Sequence, residues 1–295
     1  YGSLDYLGSD PVEYQKFGFY TKSTNVEEDD WSDLIGMTRL LDETADADYE
    51  ELVESLVQVE AWLRYFAIDT LVANMETSFA NGGVGDYAFY YGEKDGRMTL
   101  LPYDLDSILG MAVSGLETSI YRATANRVPE RFLKSPGFAR RYYALLNELA
   151  SDMFAPDQME VLLGNILNDW TTPAFVERIQ AFSNQRREAV LAQIPRSLTV
   201  QVDLPLANPD YLRYYRADTD SIRLQGRANV LKTGIVRVQG REATWTVWNG
   251  QWSIEGLQLH PGVNEILIQA LDEQGEELEQ LRIRVFRGGE PEILY

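Results

Sequence analysis

The chain has 295 residues, enough for one large domain or two ordinary ones, and its 45% hydrophobic and 12% aromatic content supports packed cores. A net charge of −20, spread along the chain with one dense acidic run at Glu27–Asp30, gives a solvated acidic surface that repels nucleic acid and anionic membranes; a basic substrate is the sharper alternative. There are no cysteines and a single histidine, His260, beside a turn signal, which argues against a disulfide framework, a thiolate metal site, a Ser-His-Asp triad and a multi-histidine centre.

No stretch approaches the roughly 20 apolar residues of a membrane helix. The chain begins YGSLDYLGSDPVEY, without an initiator methionine, a basic n-region or an apolar h-region, and reads as the interior of a longer protein. Any targeting signal is then expected upstream.

From the N-terminus, the aromatic and apolar spacing of Tyr14–Tyr20 predicts a strand leading into the acidic turn. Trp31–Leu41 and Asp48–Leu56 follow as helices. Glu60–Ala73 has the strongest helical pattern, and its apolar band is too broad for a surface helix, so it is expected to be buried and central. Tyr87–Tyr91 and Arg97–Leu101 form a hairpin around Gly92–Gly96, with Asp95-Gly96 as the turn dipeptide. Pro136–Phe154, Asp157–Trp170 and Pro173–Ile194 supply further helices, and Ser135-Pro136 and Thr172-Pro173 suit an N-cap followed by first-turn proline.

Composition shifts at IPRSL, between Ile194 and Leu198, dividing the chain into 1–195 and 196–295. Beyond it, Leu198, Val200, Val202 and Leu204 alternate, as do Ile222 and Leu224. Asn249-Gly250 between Trp245 and Trp252 signals a type I′ hairpin, and Ile266–Ala270 and Leu281–Phe286 close the region. About seven strands in roughly 100 residues suggest an immunoglobulin-like sandwich with its tryptophans in the core. The fold class is therefore α+β and multidomain: a mainly helical part with an inserted β-hairpin, then an all-β part.

The chemistry-bearing stretch is Ala73–Gly110. Glu76 and Asn81 stand five apart, the interval that separates base and metal-binding asparagine in a kinase catalytic loop. The hairpin follows, and Asp104-Leu105-Asp106 lies just past its return strand. A hard Mg²⁺ ion takes carboxylate, amide and phosphate oxygens, so Asp104 or Asp106, with Asn81 or Asp86, could provide a ligand set. If the strand continues, Leu105 points to the opposite, buried side. Spacing alone equally suits turn caps or arginine partners for the two aspartates, a helix-terminal surface acid for Glu76 and a turn for Asn81-Gly82-Gly83.

From about Asp5 to Ile194 the chain resembles the C-terminal portion of the CotH kinase family. The resemblance rests on SDPVEYQKFGFYTKST, DDWSDLI, VEAWLRYFAIDTLVANMET, DYAFYYGEKDGRMTLLP, YDLDSILG and PERFLKSPGFARRYYALLNEL. It implies a kinase-like C-terminal lobe in a secreted or surface atypical protein kinase. Such an enzyme uses ATP and Mg²⁺ (or Mn²⁺) to phosphorylate protein serine or threonine. Glu76 then takes the catalytic place where the family commonly carries aspartate in Asn-x-Asp, here Asn74-Met75-Glu76. Asn81 or Asp86 falls to the cofactor side, and Asp104 and Asp106 to the metal. The nucleotide lobe with its lysine is expected before Tyr1, and Lys22 is expected to make a local phosphate or loop contact. GRANV and PGVNEILIQALDEQG resemble immunoglobulin-like modules of bacterial surface proteins. Two other readings stand beside the kinase: a catalytically decayed kinase-like binding module, and a cell-envelope adhesion or scaffold protein working through its β module.

Overall fold

A computed structural model describes residues 2–18, 20–77, 79, 86–111, 115–121, 126–207 and 213–288. It divides into two compact units, Tyr1–Ile194 and Pro195–Tyr295. The architecture is α+β, with helices in the first unit and mixed sheets in the second.

In the first unit the described helices are α1 (Pro11–Gln15), α2 (Ser32–Glu43), α3 (Tyr49–Leu56), α4 (Val59–Leu71), α5 (Arg127–Lys134), α6 (Pro136–Ser151), α7 (Pro156–Leu167) and α8 (Pro173–Ala192). Helix α4 is the hub. Val59, Trp62, Leu63, Tyr65, Phe66 and Leu71 are buried, which leaves it only a narrow exposed edge at Glu60 and Arg64. Its N-terminal end carries the hairpin β1 (Tyr87–Tyr91) and β2 (Met98–Pro102). The Trp62 indole N–H and the Gln58 backbone N–H both donate to the Met98 carbonyl, at 3.0 and 2.9 Å, and the Trp62 ring stacks on Phe89 at 5.8 Å. Phe132 and Phe138 extend that aromatic cluster onto α5 and α6.

The second unit is all-β. One sheet runs β3 (Leu206–Ala207), β4 (Tyr214–Ala217), β11 (Glu277–Arg287), β10 (Gly262–Leu271), β6 (Ile235–Val238) and β7 (Arg241–Glu242) in spatial order. The other runs β5 (Ser221–Arg227), β9 (Gln251–Gln258) and β8 (Thr244–Thr246). Pairing is antiparallel except between β4 and β11. Leu224, Trp252 and Ile254 from the smaller sheet share one core with Val236, Ile268 and Val285 from the larger. This alternation of inward apolar and outward polar residues is what a sheet solvated on one face requires.

Several expectations need correction. Tyr14–Tyr20 is not a strand: α1 is followed by a 3₁₀ turn at Lys16–Gly18. The Asp10 carboxylate accepts from the Val12 N–H and Pro11 occupies the first turn, a capping signal that outweighs the aromatic alternation. Ser135 and Thr172 do cap helices with proline at the first positions, yet neither side chain makes a capping hydrogen bond. The Asn249-Gly250 turn is not type I′, since only Gly250 has positive φ, at 65°, after a 3₁₀ turn at Val247–Asn249. At Asp95-Gly96 likewise only Gly96 is left-handed, and six residues separate β1 from β2.

Candidate functional site

The C-terminal end of α4 sets the site. The Asn74 N–H returns to the Asp69 carbonyl at 3.0 Å, and Ala73 adopts φ 51° to make the reversal. The Asn74 side-chain oxygen then accepts from the Glu76 N–H at 3.2 Å, an Asx turn that turns the chain away from the helix. Asn74 is fully buried, whereas Glu76 is exposed at the end of this turn. Beyond it, Phe79 is buried, stacks on Tyr87 at 4.4 Å and packs edge-on against Phe66 at 5.4 Å. The loop is thereby pinned to α4 and to the start of β1.

The hairpin returns the chain past Pro102 into a turn-rich segment. Strand geometry ends there, and Asp104 sits at φ 50° in the left-handed region. Left-handed backbone is uncommon for residues other than glycine, although aspartate tolerates it better than most. Leu105 is consequently exposed, correcting the expectation that it would be buried behind two strand-spaced aspartates. The Leu109 N–H donates to the Val72 carbonyl at 2.7 Å, tying the segment back to the end of α4.

This closure gathers the acids that the sequence had separated. Asp86 has its carboxyl held above the usual carboxylate range, first by desolvation and then by the negative charges of Asp104, Glu76 and Asp106. Four carboxylates from the α4–β1 loop and the segment after β2 thus share one electrostatic neighbourhood. Neither Asp104 nor Asp106 pairs with an arginine or lysine among the described residues. The Ser107 hydroxyl, next to Asp106, is buried and has no hydrogen-bond partner among the described residues. Asn81 lies outside the described residues.

The donor chemistry fits a hard divalent cation, being carboxylate oxygen throughout. No group of three Asp, Glu or His side chains is gathered as a ready-made metal cage among the described residues. A Mg²⁺ ion does not require one, because it typically keeps several waters and takes one or two carboxylates together with substrate phosphates. Lys22 makes the loop contact: its ammonium donates to the Asp30 carbonyl and lies 5.6 Å from the centre of the Trp31 ring.

Sequence reasoning missed the scaffold beneath these acids. Arg186, on α8, is fully buried and donates to the carbonyls of Thr70 at 3.0 Å, Leu116 at 2.7 Å and Thr118 at 2.8 Å. Gln193 accepts from the Ile120 N–H at 3.0 Å, and the Tyr142 hydroxyl donates to the Ile120 carbonyl at 2.6 Å. Together they hold the 116–120 segment against the end of α4. An Arg-Arg pair in a long helix reads as surface, and only the burial of the first member distinguishes it.

A family model described as CotH kinase protein matches residues 2–192. The inner spore coat protein H of Bacillus subtilis (strain 168) is 27% identical over 144 residues, which cover 48% of this chain and 38% of that protein. The chain therefore spans well under half the length of this curated relative. Among solved structures, the S-layer protein rSbsC aligns over 83% of this chain and 37% of its own at 13% identity, with a TM-score of 0.20, too low to bear on the fold. No helix among the described residues is long and apolar enough to cross a membrane.

Proposed function

The chain belongs to the CotH kinase protein family, and from that premise we propose that it is the C-terminal, metal- and acceptor-binding portion of an atypical kinase that transfers phosphate from ATP to protein serine or threonine. The observation that carries this reading is the shared neighbourhood of Glu76, Asp86, Asp104 and Asp106 at the end of a buried helix. Phosphoryl transfer needs little covalent chemistry from the protein. It needs positioning and charge neutralisation.

In this proposal Asp104 and Asp106 hold Mg²⁺, with Asp86 or Asn81 beside them. A bound Mg²⁺ would neutralise the phosphate charge and fix the phosphate oxygens. Glu76 accepts the proton of the acceptor hydroxyl, and the Asx turn at Asn74 sets where its carboxylate stands. Asp104 owes its direction to its left-handed backbone, a conformation that active sites use at some energetic cost. Residues 1–195 would form the kinase-like lobe and 196–295 an appended immunoglobulin-like module. The spore-coat relative supports an extracellular or surface location.

The test is transfer of radiolabelled phosphate from ATP to a protein acceptor, using the protein with all of its native upstream sequence. Asp104→Ala is expected to lower transfer by at least 10²-fold, in line with loss of a charge-stabilising group. Undiminished transfer in that variant would overturn the metal assignment.

One observation favours a second reading, a binding module whose catalysis has decayed. Glu76 is exposed and one methylene longer than the aspartate of the family pattern, so its carboxylate must be drawn back to reach the same acceptor. Calorimetric binding of ATP with Mg²⁺, without transfer under any acceptor tried, would select that reading. Measurable transfer eliminates it.

A further inference from the structure

The second unit carries a cleft of about 350 Å³ on the outer face of the β5–β9–β8 sheet. The segment Thr199–Gln201 extends that sheet beyond β5: Gln201 bridges Gln225, and the Thr199 N–H donates to the Arg227 carbonyl at 2.8 Å. Residues opposite one another across neighbouring strands point to the same face. Register therefore lays Gln201, Gln225, Ser253 and Thr244 in one row. A second row, two residues along, holds Arg227, Gln251 and Thr246, with the Thr199 hydroxyl beside it accepting from the Arg227 N–H at 3.1 Å. Within a row the strands are about 4.8 Å apart, and the rows are separated by about 6.7 Å.

The floor is built rather than incidental. Trp252 turns its ring into the core, and its indole N–H is held by the carbonyls of Thr199 at 3.1 Å and Arg227 at 3.2 Å. A Cβ at Gly226 would meet the Thr199 carbonyl oxygen at 2.0 Å. Only glycine there lets the Thr199–Gln201 rail close onto the sheet.

The lining is chemically one-sided. It offers amides, hydroxyls and the guanidinium groups of Arg223 and Arg227, and it contains no carboxylate, in a protein with 46 Asp+Glu residues. Arg223 meets Glu255 at 3.6 Å on the open surface, whereas Arg227 has no carboxylate partner among the described residues. Among the described lining residues there is no exposed aromatic ring for stacking. Affinity must then come from hydrogen bonds and charge.

We propose that this cleft binds an anionic polyhydroxylated polymer, one of repeating sugar or polyol units carrying carboxylate or phosphate groups. The amide and hydroxyl rows donate to and accept from the hydroxyls of successive units, while Arg227, assisted by Arg223, takes the anionic group through its planar fork of donors. The site is independent of the phosphoryl-transfer proposal and would stand if that one failed.

The test measures retardation of the whole chain in native gels containing polygalacturonate, poly(glycerol phosphate) or neutral dextran at about 50 mM salt, where charge contacts are weakly screened. Binding to one or both anionic polymers is expected, with none to dextran; which polymer binds identifies the anion. Arg227→Glu should weaken binding at least tenfold. Lys232→Glu, an exposed charge change of the same size in the same unit and away from the cleft, should not. Gln251→Ala keeps the charge constant and should weaken binding by a smaller factor. Absence of binding to both anionic polymers, equal binding to dextran, or equal losses in Arg227→Glu and Lys232→Glu would each overturn the proposal.

Discussion

Asp86 is half-buried and close enough to three other acids to feel their charge. Its folded-state pKa is raised, chiefly by desolvation and then by Asp104, Glu76 and Asp106. The folded protein therefore binds this proton more readily than the unfolded chain does. The carboxylate is accordingly a liability at neutral pH, and the penalty fades as pH falls through the raised folded-state value. Asp86→Asn should raise the melting temperature at pH 7 by roughly 1–2 °C, as suits a half-exposed surface change. The gain should vanish near pH 3. A gain that persists at pH 3, or a loss at pH 7, would separate Asp86 from the acidic group. Addition of Mg²⁺ should move the Asp86 carboxyl signal, followed by NMR, toward lower pKa if a cation takes its place among these acids. Of these residues the sequence offered Asp86, Asp104 and Asp106 through their positions around a hairpin. It offered nothing on Ser107, which is buried beside Asp106.

At the level of elements, α4 was legible because burial over most of its circumference leaves a broad apolar band, and the hairpin because two aromatic or apolar runs flank a glycine-rich loop. The strand expected at Tyr14–Tyr20 failed because a local cap at Asp10 decided the backbone before side-chain alternation could. Helix α5 was not read from periodicity, because eight residues give too short a period to stand out beside α6. Only the resemblance of PERFLKSPGFARRYYALLNEL to a helical segment of the family reached it. The latch of α8 onto the α4 terminus is illegible in principle, since Arg186 and Thr70 are 116 positions apart. Its consequence is testable. Arg186→Met fills much of the same volume but strands the Leu116 carbonyl, at about 1–3 kcal/mol, and takes a charged donor from the carbonyls of Thr70 and Thr118, which keep the Ala73 N–H and the Gln193 side-chain amide. A stability loss of about 3 kcal/mol or more by urea unfolding is expected. Arg186→Lys should recover only part of it, because an ammonium cannot reproduce the guanidinium fork. Full recovery by lysine would mean that charge alone matters there.

For the whole molecule the decisive quantity is charge. The residues before Pro195 carry 32 Asp+Glu against 15 Lys+Arg, and those from Pro195 onward carry 14 against 11, so self-repulsion is concentrated in the unit that holds the acidic site. Like charges destabilise a compact state until salt screens them, and the screening length falls from about 30 Å at 0.01 M to about 8 Å at 0.15 M ionic strength. Raising NaCl across that range should raise the thermal midpoint followed by tryptophan fluorescence. Screening is indifferent to which cation supplies it, whereas a bound ion stabilises by mass action, about 2.7 kcal/mol at a hundredfold excess over its dissociation constant. At matched ionic strength, MgCl₂ should therefore stabilise beyond NaCl, with a saturating dependence on Mg²⁺ concentration. Asp104→Asn combined with Asp106→Asn should abolish the excess and leave the NaCl effect in place. An equal response to both salts would leave the acidic group a source of repulsion alone and would remove the divalent cation from the proposed kinase chemistry.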